Sequence, residues 1–367
     1  MDRRQNPARH RRAGRCGKGR LTELLKTSHT QTQTQTTRHN KMAHENDNKD
    51  SSKTPPPVVE HFSYEGAEPG ETLVIFGAVH GNERCGPEAL LRLKEELDSG
   101  ARSLEAGKLI IVPVANPGAY AANTRFLERN LNRSFYPKPP QERKAYEDHL
   151  DDQLCALLDE ADYLLDIHSY TAGGAPFVFM GCRDSAEKEF AQALGVEHFV
   201  WDWSNAFYDS RVEAKAAQGT TEYLRGRGGR GVTLECGQHE DPANAEVAYT
   251  AALRAMAHLG LIAPEAAPAA PENKTPHYAK MVTAILNTPM TAARPFRHFE
   301  AVQKGDLLAQ SPDGKETVTA KADGFIILPN PNAVAGAEIL YLAVAEEPFP
   351  SPQKTPRKTP QHGRSGN

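Results

Sequence analysis

The stretch Leu73-Val74-Ile75-Phe76-Gly77-Ala78-Val79-His80-Gly81-Asn82-Glu83 decides the fold. Its four leading apolar residues, two of them β-branched, read as a strand buried on both faces, and Gly77 closes the run. Pro87 then opens an amphipathic stretch that reaches Leu97. Proline suits a first helical turn, where its missing N–H costs nothing. Strand, loop and helix in this order begin a strand–helix–strand unit. His80 and Glu83 therefore lie in the loop past a strand's carboxyl end, where open α/β sheets place their ligands.

The alternation continues outward. Leu109–Val114, Tyr163–Ile167, Phe177–Met180 and Val232–Leu234 are strand-like, while Gln141–Glu160, Ala186–Leu194, Arg211–Leu224 and Ala243–Leu259 are helix-like. The sequence thus predicts an α/β fold over residues 58–262, a mostly parallel mixed sheet flanked by helices. A Pro/Ala linker follows at 263–276. Residues 277–345 change character, with turn signals at Lys304-Gly305-Asp306, Pro312-Asp313-Gly314 and Ala322-Asp323-Gly324, and predict a small β-rich C-terminal domain. Residues 1–57 form a disordered basic and polar arm, and 346–367 a disordered tail. An ordinary polar leader follows Met42, which makes that methionine the expected true start.

Composition narrows the function classes. The chain has 367 residues, of which 39% are hydrophobic and 25% charged, enough for one large core and a smaller second domain. The net charge of −4 conceals an asymmetry: residues 1–41 hold eleven Lys and Arg against two acids, and the remainder 32 basic against 45 acidic residues. A body of about −13 is a poor nucleic-acid binder, which needs a basic face. Five cysteines, an odd number without a C-x-x-C pair, argue against a disulfide framework and fit a reducing compartment. No apolar run reaches the ~18–20 residues of a membrane span, and no signal-peptide pattern is present, so the expected location is cytoplasmic.

Chemistry concentrates at strand ends. Besides His80 and Glu83, the strand Tyr163–Ile167 leads into His168 and the strand Val232–Leu234 into Glu235. Two imidazoles and a carboxylate are a common catalytic zinc set that leaves one position for water. A nearby carboxylate that is not a ligand can take the water's proton and pass it on. His80, Glu83 and His168 are the candidate ligands of one zinc ion per chain, and Glu235 is the candidate base. H-x-x-E alone arises often by chance; delivery of four such groups to one sheet edge does not. The segment Asn123–Phe135 (NTRFLERNLNRSF) adds Arg125, Arg129, Asn132 and Arg133, and the planar fork of arginine grips carboxylates with two parallel hydrogen bonds.

HGNE, NTRF…NLNRSF, DIHS and TLECG, in this order, resemble the succinylglutamate desuccinylase/aspartoacylase family, itself similar to zinc carboxypeptidases. The resemblance covers about residues 70–345. It implies zinc on His80, Glu83 and His168, Glu235 as base and then acid, and Arg125 steadying the tetrahedral oxyanion. It also implies a substrate carboxylate on Asn132 and Arg133, with Arg225 as a further contact. The expected activity is hydrolysis of the amide bond of a small anionic N-acyl amino acid, with no nucleic acid or membrane as partner. The alternatives are a metallocarboxypeptidase acting on short peptides and a non-catalytic binding module of the same fold. One position departs from the family pattern: Asn130 stands where an Asp commonly supports a zinc-bound His. The pattern around Gly305-Asp306 and Ala322-Asp323-Gly324 also resembles biotinyl/lipoyl-type β modules, but it lacks their modified-lysine hairpin tip and reads as structural.

Overall fold

The computed structural model describes residues 57–181, 185–203, 206, 217–271 and 275–346. The arm expected over 1–57 (apart from residue 57), the tail beyond residue 346 and positions 211–216 of the expected helix Arg211–Leu224 lie outside the described residues.

The first half of the chain runs β1 (Phe62–Glu65), β2 (Glu68–Phe76), α1 (Cys85–Asp98), β3 (Ala106–Val112), α2 (Pro117–Ala122), α3 (Asp148–Leu158), β4 (Tyr163–Tyr170) and β5 (Phe177–Met180). It continues with α4 (Ser185–Ala193), β6 (His198–Trp201), α5 (Thr220–Arg227), β7 (Arg230–Gln238) and α6 (Asn244–His258). The C-terminal part contributes β8 (His277–Leu286), β9 (Thr291–Ala292), β10 (Ala301–Val302), β11 (Leu307–Gln310), β12 (Thr317–Thr319), β13 (Gly324–Ile327) and β14 (Glu338–Ala345). Eleven strands form one sheet in the order β1-β3-β2-β4-β7-β5-β6-β8-β14-β13-β10, and β12-β11-β9 form a small second sheet. The centre, β3-β2-β4-β7, is parallel, and β5 joins β7 antiparallel.

The period-two alternation of each strand divides the core between two faces. Leu73, Ile75, Leu165 and Ile167 meet Leu90, Leu93 and Leu97 of α1 together with Ala252 and Met256 of α6. Val74, Phe76, Ile110 and Leu164 meet Leu150, Leu154 and Leu158 of α3. The apolar stripe on α1 (Ala89, Leu90, Leu93, Leu97) has helical spacing and is buried, whereas Leu91 between them is 46% exposed. Shortening the fully buried Leu93 to Ala is expected to cost about 2–5 kcal/mol.

The strands Leu109–Val114 and Phe177–Met180 and the helices near Pro87–Leu97, Ala186–Leu194 and Ala243–Leu259 are found within a few residues of their expected bounds. The expected helix Gln141–Glu160 is instead a short 3-10 turn, Pro140–Glu142, and then α3 from Asp148. Strands β4 and β7 run past their expected ends at Ile167 and Leu234. Asp166, His168 and Glu235 break the apolar run in the sequence, yet all eight residues of β4 are buried, because the polar side chains meet each other. Strands β1 and β6 and helix α2 are too short to leave a periodic signal.

The sheet passes without a break into the C-terminal segment. β6 pairs with β8 in parallel register, His198 opposite His277, and β14 and β13 follow antiparallel. No described helix is long and apolar enough to cross a membrane.

Candidate metal centre and active site

Three chain segments build the centre. Past β2, Ala78 adopts a left-handed φ of 46° and turns the chain into the His80–Glu83 loop. Gly81 packs there directly on α2; a Cβ at this position would collide with the Ala119–Tyr120 backbone. The Glu83 amide donates to the His80 carbonyl at 3.1 Å, a tight turn that aims both side chains the same way. The second segment is β4, where Asp166 and His168 stand two residues apart on one face. On β7, the third, Glu235 is the register partner of His168 and so shares that face.

Glu83 lies at the middle of the cluster. Its two oxygens are 2.9 Å from His80 Nδ1 and 2.9 Å from His168 Nδ1, and the two Nδ1 atoms are 3.2 Å apart. The three side chains are fully buried and their ligand atoms all lie within 4.8 Å of one another, the geometry of a group that could hold a metal ion. Behind them, His80 Nε2 meets Asn130 Oδ1 at 3.0 Å, and His168 Nε2 lies 3.0 Å from Asp166 Oδ1. The same Asn130 oxygen accepts from the Asn132 amide, which fixes it as the acceptor.

His80 Nε2 faces the acceptor Asn130 Oδ1 and so carries a ring hydrogen, and both rings turn Nδ1 inward toward Glu83. The two Nδ1 atoms, 3.2 Å apart beside a carboxylate, favour a positive charge among them, which a proton held by His168 or a bound cation supplies. Two imidazole nitrogens and a carboxylate, each imidazole backed by an oxygen, is the donor set of a catalytic zinc site. The residues present therefore fit the ion.

Charges follow the same geometry. Burial pushes His80 down, Arg125 adds to this, and its pKa falls to about 4. Burial would raise Glu83, but His80 and His168 outweigh it and hold the carboxyl well below its ordinary value. Burial would lower His168, yet Asp166 and Glu83 reverse the sign and raise it. Glu235 is pushed up to about 8, chiefly by burial, and its Oε2 has no hydrogen-bond partner among the described residues. A carboxyl poised there can both accept and release a proton near neutral pH.

The loop after α2 is fixed from below. Glu147, fully buried, accepts the backbone N–H groups of Leu127, Glu128 and Arg129 at 2.7, 3.2 and 3.0 Å. Arg129, one of the four loop residues first read as carboxylate binders, is a brace instead. It pairs with Asp148 and Asp151 at 2.8 and 2.7 Å and donates to the Asn130 and Arg133 carbonyls. Arg125 stays half exposed with its Nη1 3.3 Å from Glu83 Oε1. Asn132 Oδ1 accepts from the Thr220 amide at the start of α5. Arg133 pairs with Glu338 of β14 at 2.6 Å and lies over the Trp203 ring, 4.5 Å from its centroid.

A cavity of about 1020 Å³ opens over the cluster. The candidate residues His80, Glu83, His168, Glu235, Arg125, Asn132, Arg133 and Arg225 all border it. Leu286, Leu328, Glu338 and Tyr341 bring the C-terminal β elements to its opposite wall. Arg225 reaches the cavity only with a guanidinium already paired to Glu187 and Glu222, at 3.0 and 2.9 Å, and donating to the Gly231 carbonyl. The geometry therefore counts against Arg225 as an open carboxylate contact: the buried Glu187 and the half-buried Glu222 already engage its one guanidinium. Asp166, Glu147 and Glu338 were not singled out from the sequence. Only Asp166 left a readable sign, its Asp-x-His spacing within a strand.

Comparison with known proteins follows the same lines. The succinylglutamate desuccinylase/aspartoacylase catalytic domain matches residues 69–259. The chain is 31% identical over 104 residues to the succinylglutamate desuccinylase of Vibrio vulnificus, a stretch that is 27% of this chain and 30% of the relative. The chain thus spans about a third of the length of such curated relatives. Among solved structures, a succinylglutamate desuccinylase/aspartoacylase from Rhodobacter sphaeroides superimposes with a TM-score of 0.61 at 17% identity, over 81% of this chain and 93% of the other. The product-bound ectoine utilization protein EutE (DoeB) of Ruegeria pomeroyi gives 0.59 at 21% identity, over 80% and 98%. At these identities the likeness is one of fold, the mixed α/β sheet with its β-rich C-terminal region.

Proposed function

Because the chain belongs to the succinylglutamate desuccinylase/aspartoacylase family, we propose that it hydrolyses the amide bond of a small anionic N-acyl amino acid, using one zinc ion on His80, Glu83 and His168. The observation that carries this reading is the convergence of two Nδ1 atoms and a carboxylate, each imidazole backed by an oxygen. An ion bound there supplies Lewis acidity and lowers the pKa of a water towards 7.

The remaining steps belong to the protein. Glu235 takes the proton of the attacking water and returns it to the departing nitrogen, so that water and amide become carboxylate and amine. Arg125, half exposed at the cavity and tied to Glu83, offers its free guanidinium edge to the oxygen that gains charge. Asn132 and Arg133 hold the substrate carboxylate, and Glu338 with Trp203 keeps the Arg133 fork oriented. Arg225 steadies the far wall through Glu187 and Glu222. Residues 58–262 form the catalytic domain on this reading, and 277–345 a β-rich domain that completes the cavity.

Metal analysis of the purified protein, with a hydrolysis panel of N-acyl amino acids and di- and tripeptides, tests the proposal. About one zinc per chain and preferential cleavage of N-acyl amino acids are expected. His168→Ala should lose the metal. Glu235→Gln should retain it and lose turnover by about 10²–10⁴-fold. Full activity in both variants would end this mechanism, and preference for peptides would transfer the machinery to a carboxypeptidase.

A further inference from the structure

His239 stands four residues beyond Glu235 on the chain that leaves β7, where Gly237 (φ 135°) bends the backbone toward the centre. Its backbone N–H donates to the Tyr170 carbonyl at the end of β4, at 3.0 Å. Its ring borders the metal cavity with both nitrogens engaged. Nδ1 is 2.8 Å from Ser169 Oγ, and Nε2 is 3.4 Å from Asn82 Nδ2.

The positions of those two partners matter. Asn82 lies between His80 and Glu83 in the turn that carries both. Its Oδ1 is buried without a hydrogen-bond partner among the described residues, so the contact with His239 is what tethers the amide there. Ser169 follows His168 directly, and its backbone N–H donates to Glu83 Oε2 at 3.2 Å. One imidazole thus joins the loop that holds two ligands to the strand that holds the third, from the strand that holds Glu235. With both nitrogens occupied by protein, the ring has a bridging role and not a substrate-binding one.

We propose that His239 is a positioning residue of the metal centre: by tying Asn82 to Ser169 it fixes the spacing of His80, Glu83 and His168 that an ion requires. This rests on the assignment of those three residues as ligands. Groups that hydrogen-bond a metal's ligands weaken affinity by about 10–100-fold when removed; His239 acts one step further back, through Asn82 and Ser169, so the lower end of that range applies.

The test uses the full chain stripped of metal, with zinc affinity measured by competition against a chromophoric chelator. His239→Ala should weaken zinc binding by about 10-fold. His239→Asn, whose amide can replace Nδ1 toward Ser169, and His239→Gln, whose amide can replace Nε2 toward Asn82, should each fall between Ala and the wild type. Cobalt put in place of zinc should show a displaced visible absorption band in the Ala variant. The melting temperature of the metal-free protein, measured beside it, reports what the lost Ser169 and Asn82 contacts cost the fold itself. Wild-type affinity in His239→Ala overturns the proposal. So does a lower metal-free melting temperature with unaltered zinc affinity, since that marks a merely structural histidine. Should the alanine variant fail to fold, the two amide variants decide: affinity equal to wild type in both is fatal. A wild-type protein that takes up no zinc removes the metal assignment itself, which separates that failure from one confined to His239.

Discussion

At the residue scale the two histidines of the proposed metal site are supported unequally. His168 is backed by the carboxylate of Asp166, which also accepts from Thr220 Oγ1 at 2.5 Å, whereas His80 is backed by the neutral amide of Asn130. A charged acceptor raises the basicity of a ligand imidazole more than an amide does. Asp166→Asn is therefore expected to weaken zinc binding by about 10–100-fold, and Asn130→Asp to strengthen it, both read by chelator competition. Equal affinity in all three proteins would show that these oxygens orient the rings without tuning them. His80, Glu83, His168 and Glu235 were legible in the sequence because metal-type side chains interrupt apolar strands or follow them directly. Asp166 was obscured by that same position: inside YLLDI it reads as one polar residue in a hydrophobic run, and only strand parity puts it beneath His168.

At the scale of elements, the segment from Asn123 to Phe135 shows why motif residues alone do not define a site. Its cluster of Arg and Asn is plain in the sequence, but which of them face the cavity depends on Glu147, brought beneath the loop from the start of α3. Glu147→Ala strands three backbone donors of the Leu127–Arg129 turn. Each unsatisfied buried donor costs about 1–3 kcal/mol where water cannot reach it. We expect a lower melting temperature and a raised KM for N-acyl amino acids; unchanged values of both would show that the loop holds itself. The same dependence turns Arg129 inward to Asp148 and Asp151 while Arg125 and Arg133 reach the cavity.

At the scale of the whole molecule, the catalytic segment and the C-terminal strands are tied by Arg133 and Glu338, 205 residues apart in sequence. Burial alone would raise the Glu338 carboxyl from its ordinary 4.5, but the guanidinium outweighs it and holds the group at about 2. Between those two values the unfolded chain binds a proton that the folded protein refuses. Stability therefore rises with pH across this window: the contribution is complete above about pH 5 and is lost as the pH falls towards 2. Unfolding by urea between pH 3 and 6 should show this slope in the wild type and a shallower one in Glu338→Gln, with up to about 3 kcal/mol at stake. Parallel slopes in the two proteins would mean that the pair adds nothing to the native state.

The sequence by itself determined the α/β class, the strand–loop–helix that carries His80 and Glu83, and the identity of the four metal and proton-transfer candidates. These are written in local patterns, a buried strand's apolar run and the residues that end it. Only the tertiary structure decided which side chains stand behind the candidate ligands, that Arg129, Arg133 and Arg225 are all held by carboxylates, and that β8 and β14 extend the sheet to wall the cavity in. Those outcomes depend on contacts between residues tens to hundreds of positions apart. A fully buried polar residue looks the same in the sequence whether its partner lies in the next strand or at the other end of the chain.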